Sequence, residues 1–452
     1  MLQLKVGPAG VRGKVDQGLD LGLVIDVASA FATWLDQGPV LVARDTRPSS
    51  QMLVHALFSA LSATGREVLD AGICPTAVAQ VEAARLGAAG AISVTASHND
   101  TSWNGLKLFG ASGRVLSSAE GSEVLDLWHQ GEYRRATFDR MGVVRDLEDV
   151  VEHYVGFLLG HIDRDRIAGA GLRVVVDGCN GAASMVLPEL CRQLSLELIP
   201  ISLEPTGQFP HPPDPTVRNM AQVAAIMRPV GAHVGFGLSS DCERVSLVTD
   251  QGLALGTAAT LPLAMDQELG SPRGASGATV VASIASDSRV DRVAERHGAK
   301  VVRSGVGIQA VMEHMVLEQA VVGGEGSGGV AIAGIHLAFD GLAVLARLVE
   351  QVALLGSSDD LARRLPTVHV RVAEVPSPVG SGYAAVARLR DRATGRVTDL
   401  DGVRVDVEGG WYYVRVSHTE PVVRIICEEE TAARADERIQ MLRRQVRAAI
   451  QE

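Results

Sequence analysis

The chain has 452 residues, too many for one ordinary hydrophobic core, and domains of about 100–150 residues make it three or four units. Its composition, 46% hydrophobic and 21% charged with 48 glycines, is that of a globular protein and excludes a disordered or collagen-like chain. A net charge of −11 without a basic stripe argues against nucleic-acid binding, and five scattered cysteines argue against a disulfide framework and fit a reducing compartment.

Met1-Leu-Gln-Leu-Lys5 leads into a glycine-rich turn with no charged-then-apolar leader pattern, so a cytoplasmic protein is expected. The apolar run Leu19 to Leu35 is interrupted by Asp20 and Asp26 and is too short to span a bilayer, so no membrane partner is expected either. Residues 38–44 read as a short buried strand, and 49–64 have helical apolar spacing with Ser49 as the cap. The same alternation recurs at 66–69, 77–86 and 89–95, giving an α/β domain over 1–145. A helix over 147–162 and a β-branched strand over 171–177, ending in a Gly-Cys-Asn-Gly turn that opens another helix, start a second α/β unit at 146–254. Strands at 278–283 and 299–303 flank a helix at 287–298 in a third unit, 255–365. From 366 to 452 the pattern changes to strands at 368–372, 402–407 and 411–416 before a last helix over 432–450, an α+β unit. Three similar α/β units in tandem suggest an internal structural repeat.

Three segments carry chemistry. Thr95-Ala-Ser97-His98-Asn99-Asp100 follows the apolar strand 91–94, and Trp103-Asn-Gly-Leu-Lys107 continues the same loop. A serine at a strand end is a reasonable nucleophile position, and Lys107 can contact a phosphate or move a proton there. Little packing is expected to depend on the serine hydroxyl, and taken alone the segment is an ordinary polar turn. Arg415-Val-Ser417-His418-Thr419-Glu420-Pro421-Val-Val-Arg424 combines two guanidinium groups, two hydroxyls and a tight turn, which can cradle a dianionic phosphate or equally form a solvated strand edge. Gly323-Gly-Glu325-Gly-Ser327-Gly-Gly329 satisfies the dinucleotide pattern G-x-G-x-x-G, but residues 330–334 stay apolar and helical spacing starts only near Asp340. That context tells against a nicotinamide oxidoreductase.

The first segment resembles the phosphoserine loop of the α-D-phosphohexomutase family, Thr-Ala-Ser-His-Asn-Pro followed by Asn-Gly and Lys, with Asp100 in place of proline. The second resembles the family's phosphate-binding loop, Arg-x-Ser-Gly-Thr-Glu-Pro, with His418 at the glycine. The third resembles its sugar-recognition loop, Gly-Glu-x-Ser-Gly-His, with Gly329 at the histidine. Gly7-Pro-Ala-Gly-Val-Arg12-Gly13 is similar to the family's opening motif, and Asp45-Thr-Arg47-Pro-Ser-Ser, 177–183 and 207–215 add further matches. The resemblance runs from about residue 6 to residue 428 and implies four domains around one central cleft.

It also implies a mechanism. Ser97 would carry a phosphoryl group, give it to a hexose monophosphate and recover one from the hexose bisphosphate intermediate, with Lys107 and Arg244 assisting. Arg12 and His98 would face the substrate; Glu325 and Ser327 would read the sugar; Arg415, Ser417, Thr419 and Arg424 would grip the non-reacting phosphate. The family holds one Mg²⁺ with Asp-Gly-Asp-x-Asp-Arg, and the matching stretch here is Ser239-Ser240-Asp241-Cys242-Glu243-Arg244. A site of Ser97, Ser239, Asp241 and Glu243 should bind the ion more weakly, because a neutral hydroxyl replaces a carboxylate. The expected protein is a phosphomannomutase/phosphoglucomutase-like enzyme, monomeric or homodimeric. The alternative is a sugar-phosphate-binding paralogue without turnover, acting as sensor or partner.

Overall fold

The computed structural model describes residues 4–271, 277–378, 380–417 and 421–452. Seven strands form the first sheet: β1 (Leu4–Gly7), β2 (Gly10–Lys14), β3 (Val40–Arg44), β4 (Val68–Ile73), β5 (Gly90–Val94), β6 (Trp103–Gly110) and β7 (Val144–Asp146), in the order β1-β2-β6-β5-β3-β4-β7. β3 is parallel to β4 and β5, while β6 runs antiparallel to β5. The central strands are buried along almost their whole length, as a sheet covered on both faces requires.

The second sheet contains β8 (Arg173–Asp177), β9 (Glu197–Ile201), β10 (Val234–Leu238) and β11 (Val245–Thr249), ordered β11-β10-β8-β9. The third contains β12 (Thr279–Ser283), β13 (Lys300–Ser304), β14 (Val322–Gly324) and β15 (Val330–Ile332), ordered β13-β12-β14-β15. Both repeat the arrangement of β3 to β6 in the first sheet: three parallel strands closed by one antiparallel strand. The repeat expected from the sequence is therefore a repeat of topology. Each closing hairpin carries one of the chemically notable segments: 95–102 between β5 and β6, 239–244 between β10 and β11, 325–329 between β14 and β15.

The fourth sheet is antiparallel throughout: β16 (His369–Pro376), β17 (Arg396–Asp399), β18 (Val403–Val407), β19 (Gly410–Val416) and β20 (Val422–Glu429), in the order β16-β20-β19-β18-β17. A continuous buried apolar cluster runs through the first three units, whereas the fourth has its own core under the helix Ala432–Gln451. The fourth unit meets the third through a small cluster of Ile284, Trp411 and Tyr413.

Two local expectations are corrected. Ser49 stands at the helix N-terminus but makes no side-chain cap bond; its Oγ accepts from Asn104 Nδ2 at 2.9 Å. Lys107 is on strand β6, opposite Gly10 and Ser93, not in the serine loop. Asn104-Gly105 reads as a turn, yet the strand is held from both sides and the turn propensity is overridden.

The segment 207–215 ties the second unit to the first. Gly207, at φ 65°, lies so near Thr46 O that a Cβ would come within 2.0 Å of it. His211 binds Asp177 Oδ2 through Nε2 at 2.9 Å and Pro212 O through Nδ1 at 2.9 Å, so both ring nitrogens face acceptors. The Asp177 hydrogen bond, helped by Cys179 and opposed by burial, raises its pKa from 6.5 to about 10. A raised folded pKa stabilises fully below 6.5 and loses that stabilisation as pH rises through about 10. The melting-temperature advantage of the wild type over His211→Asn should shrink across that window; a pH-independent difference would mean the ring is neutral.

Candidate active site

Ser97 sits just beyond β5 at φ 52°, a left-handed turn that aims its side chain back across the strand ends. It is buried, at 4% exposure. Its amide donates to Thr95 Oγ1 at 2.9 Å, and Thr95 Oγ1 in turn donates to Asp45 Oδ2 at 2.7 Å. Arg47 holds the rest of the loop. Its guanidinium donates to Asp45 Oδ2 (2.9 Å), Ser97 O (2.7 Å), Asn99 O (2.7 Å) and Trp103 O (3.0 Å), and also to Asp100 O. A planar fork of donors is the side chain suited to collecting several carbonyls at once.

The β10–β11 hairpin brings the second set of groups. Ser97 Oγ donates to Asp241 Oδ1 at 3.1 Å, and Ser239 Oγ donates to the same oxygen at 2.8 Å. Lys107 Nζ lies 2.8 Å from Asp241 Oδ2 and 2.5 Å from Glu243 Oε2. Burial alone would raise the Asp241 pKa, but Lys107 and the donors around it hold the carboxyl well below the usual range. Burial raises the pKa of Glu243, with Lys107 only partly opposing it. For Lys107, burial favours the neutral amine but the two carboxylates outweigh it and raise the pKa. His98 is driven well below its ordinary value by burial and then by Arg244 and Arg12, so it is a neutral imidazole near pH 7. Its Nδ1 has no partner among the described residues. Arg244 pairs with Asp214 Oδ1 at 3.1 Å.

In the third hairpin, Ser327 Oγ donates to Glu325 Oε2 at 3.0 Å and Gly307 N donates to Glu325 Oε1, so the two residues singled out as sugar readers are held together. Gly329 pairs with Arg244 across an isolated bridge that links this loop to the β10–β11 hairpin. A Cβ at Gly329 would come 2.4 Å from the Phe339 ring, and Phe339 is buried. The aromatic ring fills the direction a side chain at 329 would take.

On the fourth sheet Arg415 and Arg424 are directly opposite each other on β19 and β20. Like charges in that register are destabilising unless anions compensate them. Here Asp401 lies 3.5 Å from Arg415 and Glu374 lies 3.1 Å from Arg424. Ser417 N closes the hairpin on Val422 O at 2.9 Å. Thr419, like His418 and Glu420, lies outside the described residues.

Sequence profiles described as phosphoglucomutase/phosphomannomutase alpha/beta/alpha domains I, II and III match residues 3–135, 152–252 and 258–368, and the C-terminal domain of the same set matches 368–445. The chain belongs to the phosphoglucomutase/phosphomannomutase family. A phosphoglucomutase/phosphomannomutase of Thermococcus kodakarensis is 31% identical over 96% of both chains. A probable phosphoglucosamine mutase of Pyrococcus furiosus is 31% identical over 98% of both. The crystal structure of a phosphoglucomutase/phosphomannomutase family protein from Burkholderia thailandensis superposes with a TM-score of 0.85 at 26% identity over 98% of both chains. The protein is thus an enzyme of the phosphohexomutase type, an isomerase, in a four-domain fold. No helix among the described residues is long and apolar enough to cross a membrane.

Within this phosphohexomutase, Ser97, Lys107, Ser239, Asp241 and Glu243 come together, and Arg12, His98 and Arg244 are coupled electrostatically around them. Among the described residues no three His, Cys, Asp or Glu side chains converge as a metal cluster. The donors are instead two carboxylates and two hydroxyls. Glu243 Oε1 is buried without a hydrogen-bond partner, and oxygen donors of this kind fit a hard divalent cation. Ser239→Asp tests the fit. Ser239 is fully buried, donates to Asp241 and accepts from Arg244 N at 3.1 Å, so a third carboxylate there repels Asp241 in the metal-free protein. The melting temperature without metal should fall and its rise on Mg²⁺ titration should steepen; identical Mg²⁺ responses would remove Ser239 from the ligand set.

Sequence reasoning did not assign the work of Arg47, Asp214 and Phe339. For Arg47 a signal existed: an acid and an arginine two residues apart directly after a buried strand.

Proposed function

We propose that the protein interconverts hexose 1-phosphate and hexose 6-phosphate through a phosphoserine at Ser97, as a phosphomannomutase/phosphoglucomutase-like enzyme. The observation that carries the reading is the convergence of Ser97 Oγ and Lys107 Nζ on the two oxygens of Asp241, at 3.1 and 2.8 Å. In the first half-reaction the P–O bond to Ser97 breaks and a P–O bond to the free sugar hydroxyl forms. The Ser97 oxygen gains a proton and the hydroxyl loses one. The resulting hexose bisphosphate turns over in the cleft, and the reverse transfer from its other end restores the phosphoserine.

Lys107 is held charged between Asp241 and Glu243, and it would hand its proton to the departing Ser97 oxygen once those carboxylates are otherwise engaged, the neutral amine then taking the proton of the sugar hydroxyl. Arg12 and Arg244 oppose charge on the moving phosphoryl group, and neutral His98 offers Nδ1 to a substrate polar group. Positioning and charge neutralisation account for most catalysis of this kind. Asp241, Glu243, Ser239 and the Ser97 oxygen would hold one Mg²⁺, which when bound supplies further neutralisation of phosphoserine charge. Glu325 and Ser327 would read sugar hydroxyls, while Arg415, Ser417, Thr419 and Arg424 grip the phosphate that stays.

The test is direct. Purified protein with Mg²⁺ and trace hexose bisphosphate should sustain conversion of glucose 1-phosphate or mannose 1-phosphate to the 6-phosphate. Binding of both sugars without turnover would instead favour a sensor role, and a substrate panel including glucosamine 1-phosphate ranks the sugars.

A further inference from the structure

Asp401 occupies a tight turn between β17 and β18 at φ 51°, a conformation Asp and Asn tolerate better than most residues. Its Oδ2 accepts from Val306 N at 3.0 Å, a backbone group of the third unit, and lies 3.5 Å from Arg415 Nη1 in the fourth. The neighbouring amide, Gly307 N, donates to Glu325. Consecutive amides of one short segment thus hold the sugar-reading carboxylate and the residue facing the phosphate-gripping arginine. Around this junction the contact between the units is small. Trp411 and Tyr413 pack on Ile284, and Tyr413 Oη donates to Asp401 O. The fourth unit has a core of its own, so the polar bonds across the junction decide how it seats on the third: besides the Asp401 bond, Arg404 Nη1 donates to Ile284 O at 2.9 Å and Ser288 N donates to Glu428 Oε2 at 2.9 Å.

We infer that Asp401 is a positioning residue with two separable actions: it fixes the edge of the fourth unit nearest the sugar-reading loop through Val306 N, alongside the Arg404 and Glu428 bonds, and it parks Arg415 until a substrate phosphate takes the guanidinium. The inference rests on the phosphate-gripping role given to Arg415 above. The two actions have opposite consequences for affinity. Docking presents Arg415 to the cleft and so favours binding. The carboxylate charge competes with the phosphate for the guanidinium and so opposes it, across 3.5 Å and with both side chains mostly buried, at 17% and 22% exposure, so that solvent screens the pair only in part.

Substitutions separate them. Asp401→Asn keeps an oxygen for Val306 N and suits the turn but removes the competing charge; Asp401→Ala removes both. Glucose 6-phosphate is titrated calorimetrically into full-length Ser97→Ala protein, where no turnover interferes, and Val306 amide exchange is followed by mass spectrometry. Asp401→Ala should bind about fivefold more weakly with faster Val306 exchange, whereas Asp401→Asn should bind at least as tightly as the parent with exchange little changed. Arg415→Ala should weaken binding about tenfold or more without exposing Val306. Equal losses in the Asn and Ala variants, or an unchanged Val306 amide in Asp401→Ala, overturn the inference. If Arg415→Ala leaves affinity unchanged, the phosphate-gripping role itself is wrong, and Val306 exchange still reads the docking bond.

Discussion

Ser97→Ala is expected to cut phosphoryl transfer by on the order of a thousandfold or more, since it removes the hydroxyl proposed to carry the phosphoryl group. The fold should survive. Asp241 keeps Lys107, Ser239 and the Glu243 amide when the Ser97 donor is lost, so the stability change should be only about 1 kcal/mol. Steady-state assay with each hexose 1-phosphate gives the first quantity and urea unfolding the second. Peptide mass analysis should find phosphate on Ser97 in the native protein and none in the variant's loop. A variant with wild-type turnover would remove Ser97 as the nucleophile.

Arg47→Met should be the most destabilising single change near the site, by about 3–5 kcal/mol, the usual cost of breaking a buried ion pair from one side. The Arg47 side chain has no exposure, and its removal strands the carbonyls of Asn99 and Trp103 together with part of the Asp45 carboxylate, while Ser97 O keeps the Ser240 hydroxyl at 2.8 Å. Thr95 and Ser50 still donate to Asp45, so the first unit need not collapse outright. The serine loop should lose its left-handed turn and activity should fall with it. Arg47→Lys retains the charge without the fork and should recover part of the stability but little of the loop order. Hydrogen exchange across residues 95–103 measures that order directly. Unchanged protection there in Arg47→Met would show that the loop is held by its own short-range bonds.

The four-domain architecture was legible in the sequence through its alternation of strands and helices, whereas the roles given to the site residues are proposals. Ser97, Glu325 and Arg415 could be singled out because the residue types each proposed role needs lie within short contiguous stretches. What holds them was less visible. Arg47 works mainly on backbone carbonyls, and only its spacing from Asp45 marks it in the sequence. Lys107 follows an Asn-Gly pair that mimics a turn, although neighbouring strands on both sides impose extension. The helix Leu21–Trp34 is rich in buried apolar residues, with Val24, Val27, Ala28, Phe31 and Ala32 among them, so its sequence offers little polar contrast from which to read a period. The common placement of three working loops on equivalent hairpins is a property of topology alone, since the three units share little literal sequence.

The packing of Phe339 against Gly329 changes what the altered position means. Along the chain the glycine looks like the loss of an imidazole; in space it is one half of a pair, with an aromatic ring occupying the volume a side chain there would need. Restoring histidine at 329 would drive a side chain into a filled core, and trimming Phe339 alone would leave a cavity. Neither step is favourable without the other. Gly329 and Phe339 are therefore coupled: a side chain can enter at 329 only when the ring at 339 is reduced in the same protein, and the sugar-reading loop inherits that restriction from the core beneath it.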